Sequence, residues 1–254
     1  MDKTKIILSG CNGKMGKAIV SCVEGKENVK IIAGVDITTE NNYKFPVYDS
    51  FEGITESAHV IIDFSHPSVL DSMLKYACTN KIPCVICTTG YSSIQIEKIK
   101  SASDIIPIFY SGNMSLGINL MIELSKIAAK VLSKDFDVEI IEKHHKYKSD
   151  APSGTAISIF NEIKKVRQNT TLQLNRNGNP NRQNEEITIH SVRGGNEIGE
   201  HEICFYGNFD TIKLTHKSNA KELFADWGVK GADYISKQKN GLYTEENFFS
   251  EIFD

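Results

Sequence analysis

The chain has 254 residues, of which 40% are hydrophobic, so it carries enough apolar material for the buried core of one or two domains. Its formal net charge of −3 offers no basic field to a phosphate backbone, and we expect no nucleic-acid partner. The first apolar run, Ile6 to Leu8, is too short for the core of a signal peptide, and no later run approaches the ~20 residues of a membrane span. We therefore expect a cytoplasmic protein with no membrane contact and with reduced cysteines.

In the N-terminal part of the chain, short apolar runs alternate with helical patterns. Strands are predicted at Lys5–Ser9, Lys30–Val35, His59–Asp63, Pro83–Cys87 and Ile105–Tyr110. Helices are predicted between them, at Lys14–Val23, Ser68–Thr79 and Ser92–Ser101. Because strands that alternate with helices form parallel sheets, the predicted fold class is α/β, with a Rossmann-like doubly wound parallel sheet.

The pattern changes after Tyr110. Helices predicted at Gly117–Leu132 and Thr155–Val166 flank a strand at Phe136–Glu142, and the polar stretch from Arg167 to Glu186 predicts a surface loop. Further strands, predicted to be antiparallel and joined by short turns, follow at Ile187–Val192, Glu202–Tyr206 and Thr211–Thr215. This part is predicted to be an α+β domain with an open mixed sheet and helices on one face. The last predicted helix, Ala220–Ser236, has no evident partner there, and we expect it to pack on the first domain.

A glycine-rich turn directly follows the first predicted strand and opens the first helix. Gly10, Gly13 and Gly16 have the spacing G-x-x-G-x-x-G, and Asp36 ends the second strand, 20 residues beyond Gly16. Gly10 permits a tight turn, Gly13 lets backbone amides approach a pyrophosphate, and the helix N-terminus contributes partial positive charge. Since a strand and a helix flank the turn, a dinucleotide site is favoured over a glycine-rich turn with an incidental aspartate.

The residues around this turn leave the nucleotide open between NADH and NADPH. Asp36 can accept hydrogen bonds from a ribose with a free 2′-hydroxyl, which favours NADH. Ile37 is not the arginine that would bind a 2′-phosphate, but Lys14 lies in the turn and could offset that preference.

The segment from Glu142 to Ala156 contains the densest group of chemically active side chains. It begins at the end of a predicted strand and ends in the first turn of a helix, where Ser153, Gly154 and Thr155 can present amides and hydroxyls to a carboxylate. Lys148 adds a positive charge, and a histidine titrates near neutrality and can supply a proton. The alternative is a solvated basic run that ends in an ordinary turn, and the helix start favours the functional interpretation.

Metal and redox sites are not expected from the histidines and cysteines. Adjacent residues such as His144 and His145 point in opposite directions on a strand, and no further ligand at zinc spacing accompanies them. Cys84 and Cys87 have C-x-x-C spacing but lie in an apolar run that predicts a buried strand, whereas a redox pair needs an exposed helix start. We expect both cysteines to act as small core residues.

Short motifs across nearly the whole chain occur in the order of one known family. They are Gly10 to Gly16, Thr88-Thr89-Gly90, Asn113-x-Ser115-x-Gly117-x-Asn119, Glu142 to Ala156, Val192-Arg193-Gly194-Gly195, Gly199-Glu200-His201 and Thr215-His216-Lys217. The string E-x-H-H-x-x-K-x-D-x-P-S-G-T-A is the most specific of them. With these motifs the sequence resembles 4-hydroxy-tetrahydrodipicolinate reductase, a family formerly called dihydrodipicolinate reductase.

This resemblance implies an NAD(P)H-dependent reduction of 4-hydroxy-tetrahydrodipicolinate to tetrahydrodipicolinate in lysine and diaminopimelate biosynthesis. Hydride would pass from nicotinamide C4 to C4 of the ring after the 4-hydroxyl leaves as water. The resemblance also implies a dinucleotide-binding domain at residues 1–113 and 219–254 and a substrate-binding and oligomerisation domain at 114–218. Hinge closure and a homotetramer built through the substrate-domain sheets are further implications.

The same resemblance assigns roles to particular residues. His144 matches the proton donor, and Lys148 matches the residue essential for catalysis and carboxylate binding. The substrate-binding positions are His145, Ser153, Gly154 and Thr155. The cofactor-binding positions are Gly10, Asn12, Gly13, Lys14, Met15, Gly16, Asp36, Thr88, Thr89, Gly90, Ser111, Asn113 and Met114.

The sequence departs from the family pattern at a few positions, and two other functions are weighed beside it. Lys221 stands where the family often has arginine, Ile37 replaces a basic residue of NADPH-preferring members, and Tyr110-Ser111-Gly112 varies a small-residue run. The alternatives are a different two-domain dehydrogenase, acting on an amino acid or a sugar alcohol, and a nucleotide-binding sensor without turnover. The double-histidine string argues against the first, and the pair of His144 and Lys148 against the second.

Overall fold

The computed structural model describes residues 3–40, 42–112, 114–178, 181–220, 222–245 and 247–248. The strands are β1 Thr4–Ser9, β2 Val29–Val35, β3 Val47–Tyr48, β4 Val60–Asp63, β5 Cys84–Ile86, β6 Pro107–Tyr110, β7 Asp137–His144, β8 Thr171–Leu174, β9 Glu186–Arg193, β10 Gly199–Tyr206, β11 Thr211–Ser218 and β12 Gly241–Tyr243. The α-helices are α1 Lys14–Glu24, α2 Leu70–Asn80, α3 Ser93–Ser103, α4 Leu116–Leu132, α5 Gly154–Val166 and α6 Glu222–Ile235. In this part of the chain, no helix combines the length and apolar character needed to cross a membrane.

The chain divides into two compact units. Unit 1 consists of Met1–Met114 and Lys221–Asp254, and unit 2 consists of Ser115–Ala220. Each unit has its own sheet and its own buried core, and each is described separately.

Unit 1 contains a seven-stranded sheet in the order β12-β6-β5-β4-β1-β2-β3, and every pair of neighbouring strands is parallel. Its central strands are fully buried runs such as Ile6 to Leu8 and Val60 to Ile62, as expected for a sheet covered on both faces. The predicted doubly wound α/β sheet is confirmed. The order of the strands reverses between β1 and β4, and in such sheets ligands bind at this switch point, beyond the carboxyl ends of the strands.

Helix α6 packs within unit 1 on the first helix of the chain. A Cβ at Gly228 would lie 3.4 Å from Ile19 of α1 and 3.2 Å from the ring of Phe64, so the small residue permits close contact. Lys26 and Asp226 form an ion pair of 2.9 Å beside this contact. The last helix thus packs on the first part of the chain, as the sequence leads us to expect.

Unit 2 contains a five-stranded mixed sheet in the order β11-β10-β7-β9-β8. The pairs β11–β10 and β10–β7 are antiparallel, whereas the pairs β7–β9 and β9–β8 are parallel. Along β7 the buried positions are Val138, Ile140, Glu142 and His144, which share one face because side chains alternate along a strand. Val138 and Ile140 join the core formed with α4 and α5, so the polar pair continues the inward face of the strand.

Two sequence predictions about unit 2 are wrong. The stretch from Arg167 to Glu186 contains β8, a parallel edge strand of four mostly exposed residues, too short for its alternation of polar and apolar residues to stand out in a polar stretch. The last three predicted strands are not consecutive antiparallel neighbours, because β7 lies between β9 and β10 and pairs in parallel with β9. Alternating burial identifies a strand but does not identify its partner.

Candidate active site

In unit 1, the turn between β1 and α1 leaves no room for side chains at two of its glycines. Gly10 has φ +78°, and a Cβ there would lie 2.5 Å from the carbonyl oxygen of Phe64. A Cβ on Gly16 would lie 2.1 Å from the carbonyl oxygen of Gly10. The predicted tight turn and close packing therefore depend on these two glycines.

The N-terminus of α1 has the features that an anion site requires. Gly13 caps the helix in an extended conformation without a side-chain hydrogen bond, and the first turn holds no acidic residue among the residues that the structure describes. The backbone N–H groups of a first helical turn have no partner within the helix, and the helix dipole places partial positive charge beside them. Lys14, exposed at the first position, adds a full positive charge. A phosphate group matches this combination.

Asp36, just beyond β2, is tied to the glycine turn. Its carboxylate accepts hydrogen bonds from the backbone N–H of Asn12 at 2.9 Å and, more weakly, from Thr38 at 3.4 Å. The side-chain amide of Asn12 donates to the carbonyl of Thr38 at 2.5 Å. A carboxylate has about four lone-pair sites, so Asp36 can still accept from ribose hydroxyls. Ile37 is 95% exposed and contributes no charge beside it.

Further predicted cofactor residues lie at the carboxyl ends of β5 and β6. The hydroxyl of Thr88 accepts a hydrogen bond of 2.8 Å from the backbone of Ser65, beyond the end of β4. Thr89 and Gly90 follow it and are exposed, and Ser111 after β6 donates to Glu245 at 2.6 Å. The buried Met114 follows. Asn113, a predicted cofactor residue, lies outside the described part of the chain, and so does Lys221, which stands where the family often has arginine.

In unit 2, Glu142 is the centre of a buried polar network. Its side chain is 0% exposed, and each of its oxygens accepts two hydrogen bonds. His144 donates from Nδ1 to Oε2 at 2.5 Å, and the backbone N–H of Ser153 donates to Oε1 at 3.2 Å. The guanidinium of Arg193 adds one bond to each oxygen, at 2.8 and 2.7 Å.

This network keeps Glu142 ionised despite its burial. Burial alone would raise the pKa of the carboxyl group, but the hydrogen bonds from His144 and Arg193 outweigh it and hold that pKa well below its usual range. Because a bidentate pair with arginine is among the strongest hydrogen-bonded arrangements of a carboxylate, Arg193 anchors Glu142 in one orientation.

Ser153 caps α5 and connects it to a second buried histidine. Its hydroxyl accepts a hydrogen bond from the backbone N–H of Ala156 at 3.2 Å and lies 3.0 Å from Nε2 of His201. Burial, and next the neighbouring His144, lower the pKa of His201 to about 3, so this ring is neutral near pH 7. The rings of His144 and His201 meet edge to face, with centroids 5.2 Å apart.

The remaining predicted residues surround the beginning of α5. Lys148, with a side chain 23% exposed, pairs with Asp150 at 2.8 Å. Gly154 is exposed, and a Cβ there would meet no atom within 4 Å, while Thr155 is half-buried. As in α1, the first turn of the helix holds no acidic residue. An anion at this helix start would find backbone N–H groups and, on the same loop, a lysine.

Sequence comparisons identify the family. The description "Dihydrodipicolinate reductase, N-terminus" matches residues 4–114, and "Dihydrodipicolinate reductase, C-terminus" matches residues 117–249. The chain belongs to the dihydrodipicolinate reductase family. Curated relatives named 4-hydroxy-tetrahydrodipicolinate reductase include one from Clostridium novyi (strain NT), 44% identical over 96% of this chain and 97% of its own length. A second, from Caldanaerobacter subterraneus subsp. tengcongensis, is 42% identical with the same coverage.

Solved structures agree with this family membership. Dipicolinate-bound dihydrodipicolinate reductase from Paenisporosarcina sp. TG-14 aligns with a TM-score of 0.79 and 26% identity, covering 97% of this chain and 99% of that one. A myo-inositol dehydrogenase from Corynebacterium glutamicum aligns with a TM-score of 0.59 at 12% identity, covering 94% of this chain and 90% of that one. The second likeness shows a shared fold alone.

The structure brings most of the reductase-family residues together within their own units. In unit 1 the glycine turn and Asp36 are hydrogen-bonded neighbours, and in unit 2 His144 and Ser153 share one carboxylate. His145 takes no part in that network: its half-buried ring lies beside Tyr147, with centroids 6.4 Å apart. The binding and catalytic roles of these residues remain predictions.

Glu142, Arg193 and His201 each lie within a family motif, but no role was predicted for them from the sequence. The spacing of Glu142 and His144, two apart on a strand, was a signal that both face the same side. Arg193 is 51 positions from Glu142 and His201 is 48 from Ser153, so no local pattern could reveal those two contacts.

Cys84 and Cys87 are buried, as predicted. Cys84 begins β5 and Cys87 directly follows it. Burial raises the pKa of both thiols well above the usual value, which suits core packing and not thiolate chemistry.

Proposed function

We propose that this chain reduces 4-hydroxy-tetrahydrodipicolinate to tetrahydrodipicolinate with NADH or NADPH, a step of lysine and diaminopimelate biosynthesis. Family membership over nearly the whole chain supports the reaction. The observation that carries the proposal is the arrangement at residues 142–156. There a buried carboxylate holds both an imidazole and the start of a helix that can receive a substrate carboxylate.

The nucleotide is assigned to unit 1. Its pyrophosphate would meet the backbone amides of the turn from Gly10 to Gly16, and its adenosine ribose would donate hydrogen bonds to Asp36. Thr88 to Gly90 and Ser111 lie on the same edge of the sheet, beyond the ends of β5 and β6. The nicotinamide supplies hydride when it is bound, and the residues of the chain orient it and hold it.

The substrate is assigned to unit 2. Dipicolinate, named with the Paenisporosarcina structure, is a planar ring with two carboxylates, which supports a dicarboxylate for this chain as well. One carboxylate would bind at the start of α5, near Ser153 to Thr155, and Lys148 would add a charge to it. His144 would donate a proton where the arriving hydride leaves negative charge, and fixing both carboxylates removes much of the entropic barrier.

We also propose that the chain assembles as a homotetramer through the sheets of unit 2. Helices α4 and α5 contact the core side of this sheet, and on its opposite face Tyr206 of β10 and Val192 of β9 are 40% and 47% exposed. Light scattering behind size-exclusion chromatography tests this assembly: a monomer at micromolar concentration would contradict it.

A single assay separates the proposed reaction from both alternatives. We expect NADH or NADPH to be oxidised with freshly generated 4-hydroxy-tetrahydrodipicolinate and not with a panel of keto acids. Turnover on the panel alone would favour a different dehydrogenase, and thermal stabilisation by NADH without any turnover would favour a sensor.

Lys148→Ala tests the substrate site within the same assay. Losing a hydrogen bond to a charged group costs about 1.5–3 kcal/mol, so kcat/KM should fall roughly 10- to 100-fold. Lys164→Ala, which removes an exposed lysine from α5, is the matched control and should leave kcat/KM unchanged. Equal values for the two variants would remove Lys148 from the site.

A further inference from the structure

Glu142 has every acceptor position filled, which determines where the protons of its neighbours must be. An ionised carboxylate only accepts hydrogen bonds, so each group that contacts it must donate. Arg193 and the backbone of Ser153 are donors at all pH values near neutrality. The 2.5 Å contact with His144 therefore requires a proton on Nδ1 of that imidazole, whether the ring is neutral or charged.

With Nδ1 occupied in this way, the exchangeable proton of His144 is the one on Nε2. The ring edge that carries Nε2 lies beside Gly199 at the beginning of β10, where a Cβ would come within 3.2 Å of that nitrogen. Because residue 199 is glycine, no side chain at that position occupies the space beside Nε2 of His144. The neighbouring His201 approaches His144 edge to face, and its Nε2 lies against the hydroxyl of Ser153.

From this geometry we infer that Glu142, anchored by Arg193, is a positioning residue that orients His144 to donate from Nε2. The inference rests on the proposed function, because it deepens the role of the proton donor in that site. Nothing in the contact requires Glu142 to touch the substrate.

The charged and titratable groups that face His144 come from several elements. Glu142 on the same strand stabilises the imidazolium, whereas Arg193 at the end of β9 opposes it. His201 on β10 is neutral because its pKa is lowered to about 3, chiefly by burial. Lys148, on the loop after β7, is paired with Asp150. Glu142 is therefore the one facing anion in direct contact with the imidazole among the described residues, and its removal should destabilise the charged ring.

The same carboxylate also positions the anion site. Oε1 of Glu142 accepts from the backbone N–H of Ser153, the capping residue of α5. Arg193 in addition donates to the carbonyl of Asp150 at 2.6 Å, which holds the loop that carries Lys148. One buried ion pair thus sets the separation between the proton donor and the helix start that would bind the substrate carboxylate.

The test is Glu142→Gln, an isosteric change that removes the charge. We expect kcat to fall about 10²-fold, the lower end of the range for losing general-acid help, with a much smaller change in the substrate KM and in NADH affinity. The alkaline limb of the kcat pH profile should move to lower pH, because the charged imidazole of His144 loses the anion in contact with it, and the NMR titration of that imidazole should move in the same direction. A purely structural role would change thermal stability without moving either titration.

Glu139→Gln is the matched control. Glu139 is on the same strand and accepts a hydrogen bond of 2.7 Å from His190, so the control removes a carboxylate from another imidazole of unit 2. We expect it to leave the His144 titration and the pH profile in place. A wild-type pH profile and His144 titration in Glu142→Gln would overturn the inference.

Arg193→Lys is a second variant in case Glu142→Gln does not fold. It keeps the positive charge but loses the two-pronged contact, and kcat should fall about tenfold with the same direction of change in the pH profile. Unchanged kcat and pH dependence in a folded Arg193→Lys variant would count against the inference.

A measurement on the unmutated protein separates this inference from the proposed function. Nitrogen-15 NMR of the imidazoles, recorded without substrate, should show His144 protonated at Nδ1 above its titration midpoint. A neutral ring protonated only at Nε2 would overturn the role of Glu142, even if the chain reduces the expected substrate. A ring protonated at Nδ1 in a chain without that activity would instead contradict the proposed function alone.

Discussion

The glycine turn of unit 1 and the segment 142–156 of unit 2 are built on opposite principles. The turn works because side chains are absent, so that the backbone of Gly10 and Gly16 packs closely and the helix start stays open. The segment works because side chains are present and mutually satisfied, with every acceptor position of Glu142 filled. The turn should therefore be sensitive to added atoms, and the segment to the loss of a donor or a charge.

His144→Gln should have the largest effect on turnover. That effect should be confined to the function assigned to segment 142–156 of unit 2. Loss of general-acid catalysis should lower kcat by roughly 10²- to 10⁴-fold, while nucleotide affinity, assigned to unit 1, changes little. Stopped-flow single-turnover rates and NADH fluorescence titrations measure the two quantities separately. His190→Gln, at an imidazole paired with Glu139, is the control and should keep wild-type rates. An unaltered rate in His144→Gln would remove this residue from the mechanism.

A pair of glycine substitutions sharpens the contrast between the regions. In Gly16→Ala the new Cβ would meet backbone atoms at 2.1 and 2.6 Å, so stability should fall by about 1–3 kcal/mol and nucleotide affinity by about 10²-fold. In Gly154→Ala the Cβ meets nothing within 4 Å, so the melting temperature should hold. Thermal melts with and without NADH measure both variants. Equal destabilisation of the two would contradict the proposed difference between the regions.

The parts of the fold that could be predicted from the sequence are those with a local signal. The central strands of unit 1 are uninterrupted apolar runs, and Gly10, Gly16 and Asp36 stand at the spacing that the strand-turn-helix geometry requires. The edge strands β3 and β12 were not predicted, since strands of two and three residues carry too little pattern. Strand β8 was placed in a loop for a related reason, because its alternation of polar and apolar residues covers only the four residues from Thr171 to Leu174.

The candidate site of unit 2 was only half predictable. His144, Lys148 and the start of α5 lie within one short segment, and the residue types themselves indicate a proton donor and an anion site. The residues that hold them are on β9 and β10, and the position of these strands in the sheet was predicted incorrectly. Arg193 and His201 depend on the insertion of β7 between β9 and β10, which no periodicity reveals.

The smallest expected effect is on the preference between NADH and NADPH. It tests whether the side chain of Asp36, beside the glycine turn of unit 1, contacts the nucleotide. In Asp36→Asn the NADH affinity should fall about tenfold relative to NADPH, because a charged acceptor for the ribose 2′-hydroxyl is lost while repulsion of a 2′-phosphate is relieved. Asparagine retains an oxygen that can accept from the N–H of Asn12, so the turn should stay in place. The ratio of the two dissociation constants is the informative quantity, because damage to the turn would weaken both nucleotides together. An unchanged ratio would mean that Asp36 acts on the turn through Asn12 and does not contact the ribose.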